Sequence, residues 1–226
     1  MTETLSMNYK LYYDNLSAAE GVRVILEEIG LPYELIASSK DRSKRRPPQQ
    51  LIINPNGWLP VLTWGETGMY ECAATIIFLC DKYPEAKLAP LPHEPERALF
   101  LQTLIYFSNT VQTAFQTFYY PDRFVDNLAN EASAKRRGVK RLYETWNVID
   151  QQIGMKKWIL GDRFSAADIY LFMLTTWLKP TLGHPSTAKF PNVKRIAKAV
   201  LLRPSVRLVY SEWMPELLEE NTTSDT

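Results

Sequence analysis

Asn54-Pro55-Asn56-Gly57-Trp58-Leu59-Pro60-Val61-Leu62-Thr63-Trp64 is the stretch from which the fold can be read. Asparagine, proline and glycine crowd its first four positions. Each favours a turn for its own reason: proline presets φ, glycine accepts positive φ, and asparagine bonds its own backbone. Leu59 to Trp64 then reads as a strand, Gly65 to Gly68 as a turn and Met69-Tyr70 as a short partner strand. Ala73, Ile76, Ile77 and Cys80 follow at helical spacing, up to Pro84. Upstream, Tyr9 to Tyr13 is an aromatic strand. Val22, Ile25, Leu26 and Ile29 recur at helical spacing until Gly30 and Pro32, and Tyr33 to Ala37 is a further strand. Ser38 to Gln50 is polar and reads as a connection. The order β-α-β, connection, β-β-α predicts a small mixed sheet flanked by helices.

Beyond Pro84 the character changes. Pro84 to Pro95 holds four of the fifteen prolines, which places a linker there. Arg97 to Phe118 reads as a long apolar-aromatic helix. Val139, Leu142, Trp146, Ile149 and Ile153 mark one face of a second. Ile169 to Leu178 is apolar almost all round, as a buried central helix of a bundle would be, with Pro180 ending it. Val193 to Leu201 and Val206 to Trp213 complete the bundle, and Glu216 to Thr226 is a polar tail. The predicted domains are 1–86, a linker 87–94, and 95–226.

Composition removes several chemistries. Apolar residues make up 46% and charged residues 23% of 226, enough for a core. A net charge of +1 gives no global field toward nucleic acid or anionic lipid, so neither is expected as a partner. Met1-Thr2-Glu3-Thr4 has an early acid and no apolar run, and no stretch is long and apolar enough to span a bilayer. A soluble, cytoplasmic chain is expected. Cys72 and Cys80, eight residues apart on one predicted helix, lie too far apart to bridge. His93 and His184 have no metal-site spacing, so no metal is expected. Dinucleotide, P-loop, zinc-protease and nucleophile-elbow motifs do not occur in the sequence.

Three segments carry a resemblance. Asn54-Pro55-Asn56-Gly57-Trp58-Leu59-Pro60-Val61-Leu62 resembles an N-P-x-G-x-V-P-x-L segment. Glu71-Cys72-Ala73-Ala74-Thr75-Ile76 resembles E-S-x-A-I. Gly161-Asp162-Arg163-Phe164-Ser165-Ala166-Ala167-Asp168-Ile169 resembles G-D-x-F-S-x-A-D-I. Together, in this order, they make the chain similar to the cytosolic glutathione transferase superfamily. The resemblance implies an α/β thioredoxin-like N-terminal domain, an all-α C-terminal helical bundle, and a homodimer. It implies a detoxifying enzyme with glutathione as co-substrate, whose thiolate attacks small apolar electrophiles held between the domains. A transferase-like interaction subunit with little turnover is the alternative, as is a glutathione-dependent isomerase, lyase, dehalogenase or peroxidase.

What the resemblance implies for single residues is specific. Pro60 would be cis, leaving the Leu59 backbone to pair with the cysteinyl part of glutathione. Glu71 would receive the ligand's ammonium and position 72 its γ-glutamyl carboxylate, at a helix start whose free N–H groups favour anions. Here Cys72 stands where the family has serine, and a thiol is a poor donor. In the basic run Lys40 to Arg46, Arg45 and Arg46 are candidates for the glycyl carboxylate. A solvated loop explains the same run.

The thiol-activating group has two candidates. Tyr12 lies near the end of the first strand, where some classes carry tyrosine, and Ser17 sits in a D-x-L-S stretch resembling the serine classes. Ser17-Ala18-Ala19-Glu20 also reads as a capping box, as Ser165-Ala166-Ala167-Asp168 does, and that alone accounts for the serine. Tyr106, Phe115, Tyr119, Tyr120 and Trp177 are candidates for the electrophile pocket. Aromatic residues at helical spacing equally describe a core.

Overall fold

The computed structural model describes residues 8–217 apart from 42 and 215. The readings of Met1 to Thr4, of Arg42 and of the tail beyond residue 217 therefore lie outside the described residues. The chain forms two compact units, Met1–Lys87 and Leu88–Thr226.

The first unit runs β1 (Tyr9–Tyr13), α1 (Ala19–Ile29), β2 (Tyr33–Ala37), α2 (Pro48–Ile53), β3 (Val61–Trp64), β4 (Thr67–Tyr70) and α3 (Cys72–Lys82). The sheet order is β2-β1-β3-β4, with β1 parallel to β2 and antiparallel to β3, and β3 antiparallel to β4. One face of β1 carries the core. Tyr9 and Leu11 are buried, Trp64 stacks on Phe78 of α3 at 5.0 Å, and the Tyr9 and Tyr83 hydroxyls meet at 3.0 Å. In α1, Val22, Val24, Ile25 and Leu26 are fully buried, each contributing roughly 1.5–3 kcal/mol of apolar burial. The helix ends where Gly30, at φ +78°, donates its N–H to Leu26 O at 3.0 Å.

Two boundaries differ from the sequence reading. β3 begins at Val61, leaving Leu59 and Pro60 outside the ladder, and β4 begins two residues earlier than expected. A larger difference is α2, which lies partly in the stretch read as a polar connection. Pro48 occupies its first turn, where a missing N–H costs nothing. Its polarity is inverted: Gln50 is wholly buried while Ile52 is 72% exposed. No amphipathic pattern could have announced it.

The second unit contains α4 (Arg97–Tyr106), a π-helical turn (Phe107–Val111), α5 (Gln112–Tyr119), α6 (Glu131–Ile153), α7 (Ala166–Thr175), α8 (Pro191–Leu201) and α9 (Pro204–Val209). The expected single helix 97–118 is thus one continuous helical run with a wider turn at its middle. All ten residues of α7 are buried, as expected of the central helix, which ends at Thr175. α6 packs closely on α5 through Gly138, where an added Cβ would meet Phe118 N at 2.9 Å. The proline-rich stretch taken as a linker is pinned to the entry of α7. Ala166 N–H donates to Leu88 O at 2.7 Å, while the Arg163 guanidinium bonds Ala89 O at 2.7 Å and Glu94 at 2.9 Å.

Candidate functional site: one end of the sheet

The strand register gathers the segments of the first unit that the sequence singles out as candidates. Tyr12 pairs with Val61, and Val61 with Tyr70. One residue further on each strand stand Tyr13, Pro60 and Glu71, so the exit of β1, the entry of β3 and the exit of β4 share one end of the sheet. α1 and α3 both begin at this end. A direct contact joins them: Cys72 Sγ donates to Ala18 O at 3.4 Å.

Three features stand out there. The Leu59–Pro60 bond is cis, and neither the N–H nor the C=O of Leu59 itself makes a hydrogen bond among the described residues. Glu71 is exposed at φ +74°, a conformation costing a non-glycine residue of order 1–3 kcal/mol, and no side chain caps α3 behind it. A helix start of this kind favours an anion. Ser17 is buried; its Oγ accepts from Ala19 N–H at 3.3 Å and its own N–H donates to Asp14 O at 3.2 Å. Its hydroxyl proton has no acceptor among the described residues.

The capping box expected at Ser17 does not form. α1 begins at Ala19, so Ser17 sits one position outside the cap and Glu20 is the second helical residue rather than the third. The Glu20 carboxylate lies 3.7 Å from Arg23. At Ser165 the box closes fully, with Asp168 accepting from Ser165 N–H at 2.8 Å. Tyr12 is also buried, but on the sheet face it shares with Lys10, opposite Tyr9 and Leu11. Burial raises its phenol above the usual range; Lys10 opposes the shift and Glu34 adds to it.

The basic run is not a free cationic patch. Lys40 Nζ donates to Asn15 O at 2.5 Å. Arg46 spans three carbonyls, those of Gly57 (3.0 Å), Asp41 and Lys44 (2.6 Å each). Lys44 and Arg45 stay exposed.

In the second unit, Phe115, Tyr119 and Trp177 come together. Phe115 meets Trp177 at 5.5 Å and Tyr119 at 6.5 Å, and the Tyr119 hydroxyl donates to Trp177 O at 3.1 Å. Tyr106 instead directs its hydroxyl to Thr145 O on α6, and Tyr120 lies beneath Arg123. Sequence reasoning missed His184, buried with its ring 4.3 Å from Phe118 and 5.9 Å from Phe115, its imidazole held below the usual range by burial. A histidine in a proline-flanked loop carries no signal that it faces inward. Among the described residues no group of three or more His, Cys, Asp or Glu could hold a metal ion, and no helix is long and apolar enough to cross a membrane.

A mixed four-stranded sheet with helices, a cis-proline at the entry of β3 and an uncapped helix after β4 defines a thioredoxin-like unit, here followed by a helical one. Family models agree: residues 11–87 match the glutathione S-transferase N-terminal domain and residues 107–204 the glutathione S-transferase C-terminal domain. The chain belongs to the cytosolic glutathione transferase superfamily and has its fold. A glutathione S-transferase-like protein of Aspergillus terreus is 26% identical over 209 residues, 86% of this chain and 90% of that one. A glutathione S-transferase of Escherichia coli is 25% identical over 205 residues, 87% and 94% of the two chains. Among solved structures, a glutathione transferase homologue from Sulfitobacter with bound glutathione superposes with a TM-score of 0.82 at 24% identity, covering 92% of this chain and 99% of that one. A glutathione transferase of Phanerochaete chrysosporium in complex with oxidised glutathione gives 0.78 at 22%, covering 93% and 98%.

Proposed function

We propose that the chain is a glutathione transferase that binds glutathione at the sheet end of its first unit and adds the thiolate to small apolar electrophiles. The observation that carries this reading is the convergence of the unbonded Leu59 N–H and C=O, the start of α3 without a side-chain cap and the Ser17 hydroxyl at one end of one sheet. In this reading the cysteinyl backbone pairs with Leu59. The γ-glutamyl carboxylate sits on the first N–H groups of α3, and its ammonium on Glu71.

Ser17 is the thiol-activating donor. Its oxygen already accepts from Ala19, which leaves the hydroxyl proton to donate to a thiolate. The start of α1 adds the favourable end of a helix dipole. A free thiol titrates near 8.5, and each unit of depression takes about 1.4 kcal/mol of preferential thiolate stabilisation. A hydrogen bond to a charged group contributes roughly 1.5–3 kcal/mol, so one donor supplies one to two units. The thiol proton leaves to solvent, the thiolate forms a C–S bond at the electrophilic carbon of an aromatic halide, and the carbon–halogen bond breaks to release halide. Phe115, Tyr119 and Trp177 are the side chains proposed to receive its apolar body.

The test is calorimetry with glutathione, followed by thiolate absorbance of the complex against pH and a conjugation assay with an aromatic halide. Binding with a depressed thiol pKa and turnover supports the enzyme. No heat at millimolar glutathione removes this reading and leaves the interaction subunit.

A further inference from the structure

Gln50 is wholly buried, although an amide left without partners in such a place is costly. Its Oε1 accepts from the Ser38 hydroxyl at 2.5 Å. Its Nε2 lies 3.2 Å from Gly57 O and 3.4 Å from Trp58 O. Two neighbours address the same pair of carbonyls: Arg46 Nε donates to Gly57 O at 3.0 Å and Asn54 Nδ2 to Trp58 O at 3.2 Å. Each of two consecutive carbonyls therefore receives two donors. Arg46 also packs its stem on Gly57, where an added Cβ would stand 3.4 Å from its Cγ.

The peptide unit gives this grip a direction. Trp58 C=O and Leu59 N–H belong to one planar group and point opposite ways across it. Holding the carbonyl from the α2 side aims the Leu59 N–H away from α2. Four contacts from three side chains, fixing two successive peptide planes, are far more than a surface turn needs.

We propose that Arg46 and Gln50 are positioning residues of the glutathione site, gripping the Gly57 and Trp58 carbonyls so that the Leu59 peptide is held in its ligand-pairing orientation. Arg46 then acts through Gly57 and not as an ion-pair partner of the ligand's glycyl carboxylate. This rests on the glutathione reading above. It makes a distinct claim: losing the grip weakens any ligand that pairs with Leu59, whether or not the ligand carries a glycyl carboxylate.

The experiment titrates wild type, Arg46→Ala, Arg46→Lys and Gln50→Met with glutathione and with γ-glutamylcysteine, which lacks the glycine. All three variants are expected to weaken both ligands by a similar factor, about three- to tenfold, because each acts on the ligand only through the Leu59 peptide. Lysine is expected to rescue nothing, because it keeps the charge and loses the fork. Loss confined to glutathione, or rescue by lysine, would make Arg46 a carboxylate partner and overturn the proposal. Wild type binding neither ligand would count against the glutathione reading instead. The grip is then read from amide resonances alone. Gln50→Met is expected to shift the Trp58 and Leu59 N–H signals well beyond those of Cys72 and Ala73, and unmoved signals overturn it.

Discussion

Two tetrapeptides of this chain, Ser17-Ala18-Ala19-Glu20 and Ser165-Ala166-Ala167-Asp168, differ by one methylene and end in opposite arrangements. Ser165 enters α7 in an extended conformation, at φ −150° and ψ 171°, and serves as its cap. Asp168 falls on the third helical position, where its carboxylate accepts from Ser165 N–H at 2.8 Å and Ile159 N–H at 3.0 Å. Ser17 enters through a turn with Leu16 at φ +53°, which spends the Ser17 N–H on Asp14 and starts the helix one residue late. The box cannot close in that register. A closed box uses up its serine and welds a helix start to its surroundings. An open one leaves a buried hydroxyl at a helix N-terminus with its proton uncommitted.

The largest expected effect comes from breaking the closed box. Asp168→Ala strips two buried backbone N–H groups of their acceptor and should cost about 2–5 kcal/mol of stability, read as a lower denaturant midpoint. The same carboxyl gives a pH signature. Burial raises its pKa from 3.8 to about 6, against the hydrogen bonds that lower it. Between those values the native state holds the proton and the unfolded state does not. Its contribution to stability is therefore complete below about pH 4 and falls as pH rises to about 6, by at most about 3 kcal/mol. Asp168→Asn, which cannot titrate, should flatten that part of the stability–pH curve. An unchanged slope would show that Asp168 titrates normally.

The open box should respond in chemistry rather than in stability. Ser17→Ala is expected to raise the pKa of bound glutathione by one to two units and lower turnover roughly ten- to a hundredfold, with affinity changed little. Its stability cost should stay below about 1 kcal/mol, at the low end for a helix start. Tyr12→Phe should leave the thiolate titration where it is. The reverse pattern would return activation to the strand tyrosine.

This comparison also marks how far the sequence can be read. Tyr9–Tyr13 and Tyr33–Ala37 are legible to the residue because aromatic and apolar runs meet turn and helix-stop residues there. α7 is legible because a helix apolar all round has only one place to go. α2 is not, because Gln50 goes in and Ile52 out for reasons that lie in carbonyls seven and eight residues away. Ser17 is legible as a candidate and illegible as an outcome: a one-residue shift of helix start decides whether the motif closes, and motif spacing does not contain that shift. Arg46 shows the opposite gap between pattern and geometry. A cation near the expected carboxylate suggests an ion pair, whereas its Nε and Nη1 are already engaged by three backbone oxygens.

Cys72 carries the smallest expected effect. From sequence alone, replacing it by serine should tighten glutathione, because a hydroxyl donates better than a thiol. The geometry changes that expectation. The thiol is 3% exposed and already donates to Ala18 O at 3.4 Å, a bond that ties the start of α3 to the start of α1. A serine in that position has one proton, and Ala18 O competes for it with the ligand. In the proposed site the γ-glutamyl carboxylate meets the start of α3, whose N–H groups belong to the backbone and survive any substitution there. Cys72→Ser should therefore move glutathione affinity by less than about threefold, well under the roughly 1.5–3 kcal/mol of a full hydrogen bond to a charged group. Calorimetry on the purified variant measures it. A tenfold gain would mean that the serine hydroxyl turns from Ala18 to the ligand, and that the open end of the sheet binds through its side chains rather than through its helix N–H groups.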